Sequence, residues 1–203
     1  MMKNISVLAS GNGSNLQAIL DATESGRIRG ARLILVISDN KEAFALERAK
    51  KHGIPAIHID PKNYASREDF DREAVACLRK AGTDLVVLAG FMRIVTPYFV
   101  RSFPRRIMNI HPALLPCFPG AHAVEDALEY GVKVTGCTVH FVDEGVDTGP
   151  IILQEALPVR EDDTPETLRE RIHVLEHRLY PRAISLWLQN KITISGRRCL
   201  IDE

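Results

Sequence analysis

The apolar positions of this chain fall first into short runs closed by turn residues. Residues 5–9 form a compact apolar run ending at a glycine-rich turn, and residues 33–37, 56–59, 85–89 and 107–110 repeat the pattern. Runs of this length, rich in β-branched residues, predict buried strands. Between them the spacing changes to threes and fours. Leu16, Ile19 and Leu20 share a helical face, and a second helix is predicted over about residues 43–52, stopped by Gly53. Ser66, with Asp69 three residues on, resembles a capping box. The helix it opens sets Phe70, Ala74, Cys77, Leu78 and Ala81 on one stripe before Gly82. Strands alternating with helices imply right-handed βαβ units and a mainly parallel sheet, an α/β class with a Rossmann-like first half.

After Gly120 the pattern differs. A helix over about residues 124–130 leads into two longer strands, about 134–142 and 151–159, whose weaker alternation suits an antiparallel pair in a mixed sheet. Thr164 is placed to cap a last helix with Pro165 at its first position, running to about residue 189. Residues 192–201 read as a small β-hairpin. The chain carries no internal repeat, low-complexity segment or linker, so its 203 residues are expected to form a single domain flanked by helices.

Composition narrows the function classes. Lys plus Arg and Asp plus Glu number 26 each, leaving no global field for nucleic acid or an anionic membrane. An anionic ligand must then be met by a local device. Cys77, Cys117, Cys137 and Cys199 are scattered without a C-x-x-C spacing, which argues against a structural zinc or a disulfide framework. The N-terminus runs from Met1-Met2-Lys3-Asn4 straight into a short apolar run, with no signal-peptide core and no apolar stretch of about 18 residues. A cytoplasmic location is expected.

Three clusters carry candidate chemistry. Gly11-Asn12-Gly13-Ser14-Asn15 lies between the first strand and first helix, where glycines let backbone approach a ligand and helix-start N–H groups favour an anion. Leu16 stands where a dinucleotide fingerprint has its third glycine, and the lysine of a P-loop is missing. Asp39 after the second strand imitates a ribose-binding acid, but the loop favours a single phosphate. The alternative is a tight turn without a ligand.

Asn109-Ile110-His111-Pro112 is the second cluster. Side chains two apart on a strand share a face, so Asn109 and His111 point together while Met108 and Ile110 enter the packing. An amide donor beside an imidazole at a strand's carboxyl end suits a developing oxyanion. The third is Asp143-Glu144-Gly145-Val146-Asp147-Thr148-Gly149-Pro150, a turned loop whose acid either orients a histidine or is merely solvated. His173-Val174-Leu175-Glu176-His177 matches an inverted zinc-protease motif, yet only Asp202 and Glu203 remain downstream as acids. A helix face touching substrate, or a solvated one, fits better, and no metal is expected. His52, His58, His122 and His140 have no partner that spacing specifies.

Together, Gly13-Ser14-Asn15, Asn109-Ile110-His111-Pro112-Ala113-Leu114-Leu115-Pro116 and Asp147-Thr148-Gly149-Pro150 resemble the folate-dependent formyltransferase family over nearly the whole chain. The resemblance implies a formyltransferase-like fold, with a nucleotide-phosphate-binding half over residues 1–105 and a catalytic, folate-binding half over 106–203. The Asn-x-His pair and acidic loop are shared with methionyl-tRNA formyltransferase and formyltetrahydrofolate hydrolase. The glycine loop, Glu176 and the length resemble instead the branch acting on glycinamide ribonucleotide in purine biosynthesis.

That branch implies transfer of formyl from 10-formyltetrahydrofolate, a cosubstrate, to the ribonucleotide amine. Gly13, Ser14 and Asn15 would hold the phosphate and Glu176 the glycinamide end. Arg67, Met92, Arg93, Ile94, Val95, Asp143, Glu144, Gly145 and Val146 would line the folate pocket. Asn109 and His111 would stabilise the oxyanion, with Asp147 keeping His111 protonated and oriented. The implied partners are small molecules, with no nucleic acid or membrane, in a monomer or homodimer. A 10-formyltetrahydrofolate hydrolase and a non-catalytic nucleotide-binding module are the rival readings.

Overall fold

The computed structural model describes residues 2–202; Met1 and Glu203, the latter one of the two downstream acids weighed above, lie outside the described residues. The chain divides into two compact units, one through Met108 and one from Asn109.

The first unit alternates strand and helix. Its strands are β1 (Lys3–Leu8), β2 (Ala31–Ser38), β3 (Ala56–His58) and β4 (Leu85–Leu88), ordered β3-β2-β1-β4 with every pairing parallel. Ile5, Val7, Val36, Ile37, Leu85, Val86 and Val87 are buried, as strands covered on both faces require. The helices are α1 (Ser14–Glu24), α2 (Phe44–Lys51), α3 (Arg67–Lys80) and the short α4 (Pro97–Ser102). Neither α4 nor the 3-10 turn at Pro61–Asn63 is anticipated by the apolar pattern, because each is too short to show a period; proline at the first position starts both.

Two local expectations need correction. The buried stripe of α3 is Phe70, Asp71, Ala74, Val75 and Leu78, while Cys77 and Ala81 are only half-buried. Also, Ser66 Oγ accepts the Asp69 N–H at 3.1 Å, but the Asp69 carboxylate takes the Ser66 hydroxyl at 2.7 Å, where a capping box reaches the backbone N–H. Aspartate is one methylene shorter than the glutamate that makes that reach.

The second unit opens with the end of β5 (Ile107–His111), the strand that crosses the boundary. It continues through α5 (Ala123–Tyr130), β6 (Val134–Phe141), β7 (Ile151–Pro158), α6 (Pro165–Leu188), β8 (Ile192–Ser195) and β9 (Arg198–Ile201). β6 and β7 are antiparallel, β7 and β9 parallel, and β8 and β9 antiparallel, so this sheet is mixed. The β6–β7 register shifts between Val139 and His140, an irregularity at the end of the strand pair. Thr164 and Thr167 bond reciprocally to start α6 after Thr164, with Pro165 at its first position. α6 buries Leu168, Ile172, Leu179, Tyr180, Ala183 and Ile184, supplying the apolar face this unit needs. Among the described residues, no helix is long and apolar enough to cross a membrane.

Candidate active site

β5 delivers Asn109 and His111 from one face of its last residues, with Met108 and Ile110 buried on the other. His111 is 3% exposed. Its Nε2–H donates to the Phe118 carbonyl at 2.7 Å, which fixes the ring and leaves Nδ1 facing Asp147 Oδ2 at 3.4 Å. The segment between is tied down by Thr138 of β6. Its hydroxyl donates to Ala113 O at 2.7 Å and accepts the Leu115 N–H at 3.1 Å and Gln154 Nε2–H at 2.9 Å.

Asp147 reaches the cluster from the β6–β7 loop through a left-handed backbone, φ 53°. Aspartate tolerates that region better than most residues. Gly149 makes the loop possible: a Cβ there would land on the Phe141 carbonyl. Asp143 braces the same turn, accepting from Gly145 N–H at 3.1 Å and the Thr148 hydroxyl at 2.6 Å. Asp147 Oδ2 accepts the Gly120 N–H at 2.8 Å, so loop 118–120 holds His111 with a carbonyl and Asp147 with an amide.

His140 completes the arrangement, although spacing alone gives it no partner. It is 1% exposed, and its Nδ1–H donates to Phe141 O at 2.8 Å. Its Nε2 accepts Asn109 Nδ2–H at 3.2 Å and lies 3.5 Å from Asp147 Oδ1. The second Asn109 amide hydrogen points to Asp147 Oδ1 at 3.4 Å. The signal for His140 is the one that marks Asn109 and His111: Thr138 and His140 alternate at the end of a strand that enters the acidic loop.

In this cluster burial works against the neighbouring charges. Burial pushes the Asp147 carboxyl up, but His140, the Gly120 N–H and His111 together outweigh it, leaving the group below the ordinary carboxylate range. Burial pushes His111 down. Asp147 and the Phe118 carbonyl pull it up without offsetting that loss, so its net shift is downward. The Nε2–H is committed to the Phe118 carbonyl, and Nδ1 faces the Asp147 carboxylate instead of backbone.

The remaining predicted residues divide by unit. Gly13 precedes α1 at φ 74°, and a Cβ there would sit 2.8 Å from Ala45 Cβ. No side chain caps the helix at Gly13, and Ser14 and Asn15 form its first turn. Arg48 braces the loop by donating to Asn12 O at 2.9 Å and Asn12 Oδ1 at 3.0 Å. Arg67 is exposed, as are Met92 and Ile94; Val95 is half-buried, and the Arg93 guanidinium lies 4.6 Å above the Phe70 ring.

In the second unit, Glu144, Gly145 and Val146 are exposed on the acidic loop, whereas Glu176 is buried on α6 with Oε2 3.9 Å from His173 Nε2. Burial, with the charges of Glu176 and Glu155, pushes the Cys137 thiol up to about 12, so it supplies no thiolate. The His173 and His177 rings stack at 6.0 Å, and no group of three or more His, Cys, Asp or Glu gathers for a metal among the described residues.

The chain matches a family described as formyl transferase over residues 3–184. It is 44% identical over 192 residues to phosphoribosylglycinamide formyltransferase of Bacillus subtilis, covering 94% of this chain and 98% of that protein. It is 49% identical over 194 residues to the trifunctional purine biosynthetic protein adenosine-3 of Drosophila melanogaster. That match covers 95% of this chain, and the chain spans only 14% of that relative's length. Among solved structures, glycinamide ribonucleotide transformylase 1 of Symbiobacterium toebii superposes with TM-score 0.97 at 54% identity, covering 100% of this chain and 95% of the other.

Proposed function

The chain belongs to the formyl transferase family, and from that premise we propose that it moves the formyl group of 10-formyltetrahydrofolate onto the amine of glycinamide ribonucleotide. The observation that carries this reading is the cluster of Asn109, His111 and Asp147, with the buried imidazole anchored through Nε2 and its Nδ1 turned to a carboxylate 3.4 Å away. Such a cluster suits acyl transfer, in which a nucleophile must lose a proton while an oxyanion forms.

The neutral amine attacks the formyl carbon, and a C–N bond forms as the carbonyl π pair moves onto oxygen. The amine proton goes to His111 Nδ1, the ring nitrogen not engaged by a carbonyl. The imidazolium then faces the ionised Asp147 and lies beside the new oxyanion. Positive charge thus arises as the transition state does, which lowers the barrier instead of tightening the ground state. Collapse of the intermediate expels N10 of tetrahydrofolate, which takes a proton from His111. Asn109 supplies amide hydrogens to the oxyanion by releasing its bonds to His140 and Asp147, both 3.2 Å or longer. No step calls on a metal.

Gly13, Ser14 and Asn15 receive the ribonucleotide phosphate through the N–H groups of the α1 start. Glu176 contributes to the glycinamide end, and Arg67 with Met92–Val95, like the Asp143–Val146 turn, contributes to folate binding. The test is to follow tetrahydrofolate release from 10-formyltetrahydrofolate with and without glycinamide ribonucleotide. Release near background without the ribonucleotide, rising many-fold with it, is expected. Equal release in both would replace the transferase by a hydrolase, and tight nucleotide binding with no release would leave a binding module.

A further inference from the structure

In the first unit, Asp71 is a buried carboxylate that the reaction above does not use; it is 4% exposed, on the inner stripe of α3. A single oxygen, Oδ2, accepts both the Thr96 N–H at 2.6 Å and the Thr96 hydroxyl at 2.7 Å. Thr96 is the N-cap of α4, and a threonine there ordinarily turns its hydroxyl oxygen onto a free N–H of the helix. Here no such cap bond exists. The local cap is given up for a tertiary link spanning 25 positions, which marks the link as built for more than starting a six-residue helix.

What it fixes is the segment just before α4, which has neither helix nor strand to hold it. That segment is tied again at its other end, where Met92 N–H donates to Ser10 Oγ at 2.9 Å. Between the two ties, Met92 and Ile94 turn apolar side chains to the surface at 66% and 56% exposure. Arg93, stacked on Phe70, and Arg67 both bring positive charge to Asp71. Burial still outweighs them and pushes the Asp71 carboxyl up. An irregular segment that exposes apolar side chains holds one shape only where its backbone polar groups are anchored.

We propose that Asp71 is a positioning residue for formyl-donor binding: through Thr96 it holds Met92–Val95 in the conformation that receives the folate. This rests on the reading that the segment contributes to folate binding. The experiment uses the full chain, wild type and the variants Thr96→Val, Thr96→Ser and Asp71→Asn. Two quantities are measured: the Kd for tetrahydrofolate by calorimetry under reducing conditions, and the KM for glycinamide ribonucleotide in the transfer assay. Valine keeps the branched shape and the N–H but loses the hydroxyl; serine keeps the hydroxyl.

Thr96→Val is expected to weaken tetrahydrofolate binding about five-fold or more, as loss of a hydrogen bond to a charged group does when part of it is transmitted. The ribonucleotide KM should stay within about two-fold, and Thr96→Ser should bind folate like wild type. Asp71→Asn should follow Thr96→Val if it folds. Folate binding unchanged in Thr96→Val, or lost equally in Thr96→Ser, overturns the proposal, as does a parallel rise in the ribonucleotide KM. Wild type that binds tetrahydrofolate but transfers no formyl defeats the proposed function alone. Wild type that binds none defeats both.

Discussion

The glycine loop of the first unit and the cluster of the second are both assigned to ligands, yet they are made of different material. Around Gly13 the structure offers backbone: a left-handed glycine, an α1 start without a side-chain cap, and Arg48 bracing Asn12 from outside. Around His111 it offers side chains, the two imidazoles buried and Asn109 and Asp147 half-buried, tied together by Asn109. A site made of main chain tolerates side-chain changes but not changes of conformation. A site made of buried side chains behaves the other way round, because removing one partner leaves another unsatisfied.

The largest effect should come from Asp147→Asn. Asparagine also accepts the left-handed backbone, so the change removes charge and little else. kcat/KM is expected to fall about a hundred-fold or more, comparable to losing an oxyanion-hole donor. The pH profile gives the sharper test. If His111 must be neutral to take the amine proton, activity is lost as pH falls through its pKa. Removing the Asp147 charge lowers that pKa, so the acid limb should move to lower pH. An alkaline limb moving to lower pH would mean instead that imidazolium is the working form.

Gly13→Ala probes conformation in the backbone-built loop. A side chain there meets both the positive φ and Ala45 at 2.8 Å. A loss of about 2 kcal/mol is expected, at the scale of a non-glycine residue forced left-handed, measured by denaturant unfolding. An unchanged midpoint would show that α2 gives way. Smaller again is Ser14→Ala, where backbone donors persist. It should raise the ribonucleotide KM about ten-fold, the low end for a hydrogen bond to a charged group, while the folate KM stays put. A folate-selective effect would move the phosphate to another part of the chain.

The smallest effect concerns stability. His111 has a folded pKa below its unfolded value of about 6.5. The unfolded chain therefore binds the proton more readily, and the contribution of His111 is complete above that value and lost as pH falls through the folded one. Asp147 behaves likewise further down, since its folded pKa is also lowered. Melting temperatures at pH 7 and pH 5 should differ more in wild type than in His111→Asn. Equal differences would show that other groups carry the acid sensitivity.

Much of this organisation is legible in the sequence because it rests on period. The strand runs and the α1 spacing are long enough to show one, and α6 announces its start through Thr164 and Pro165. Asn109 and His111 emerge by alternation, and the resemblance of their motif to formyltransferases supplies the chemistry. What escapes is what depends on contacts between distant residues. His140 alternates with Thr138 like any strand residue, and only the fold brings it beside Asn109. Asp71, amid Glu68, Asp69, Arg72 and Glu73, reads as one more charge on a solvated helix. The state of His111 is the subtlest, because an adjacent acid predicts one sign and burial imposes the other.

The loop at 118–120 limits how this chain can vary. Its two contributions, the Phe118 carbonyl and the Gly120 N–H, belong to the peptide chain itself. Codon changes at position 118 leave the carbonyl in existence, whereas Gly120 sits at φ 98°, where any side chain strains the backbone that aims the donor. Point mutation therefore reaches the clamp through Gly120, while drift in the side chains around it is tolerable wherever the path of the loop is kept. Length is the vulnerable quantity: deleting one residue between Pro116 and Gly120 shifts donor and acceptor together. Lineages carrying this arrangement should thus keep glycine at position 120 and accept substitutions elsewhere in the loop more freely than insertions or deletions.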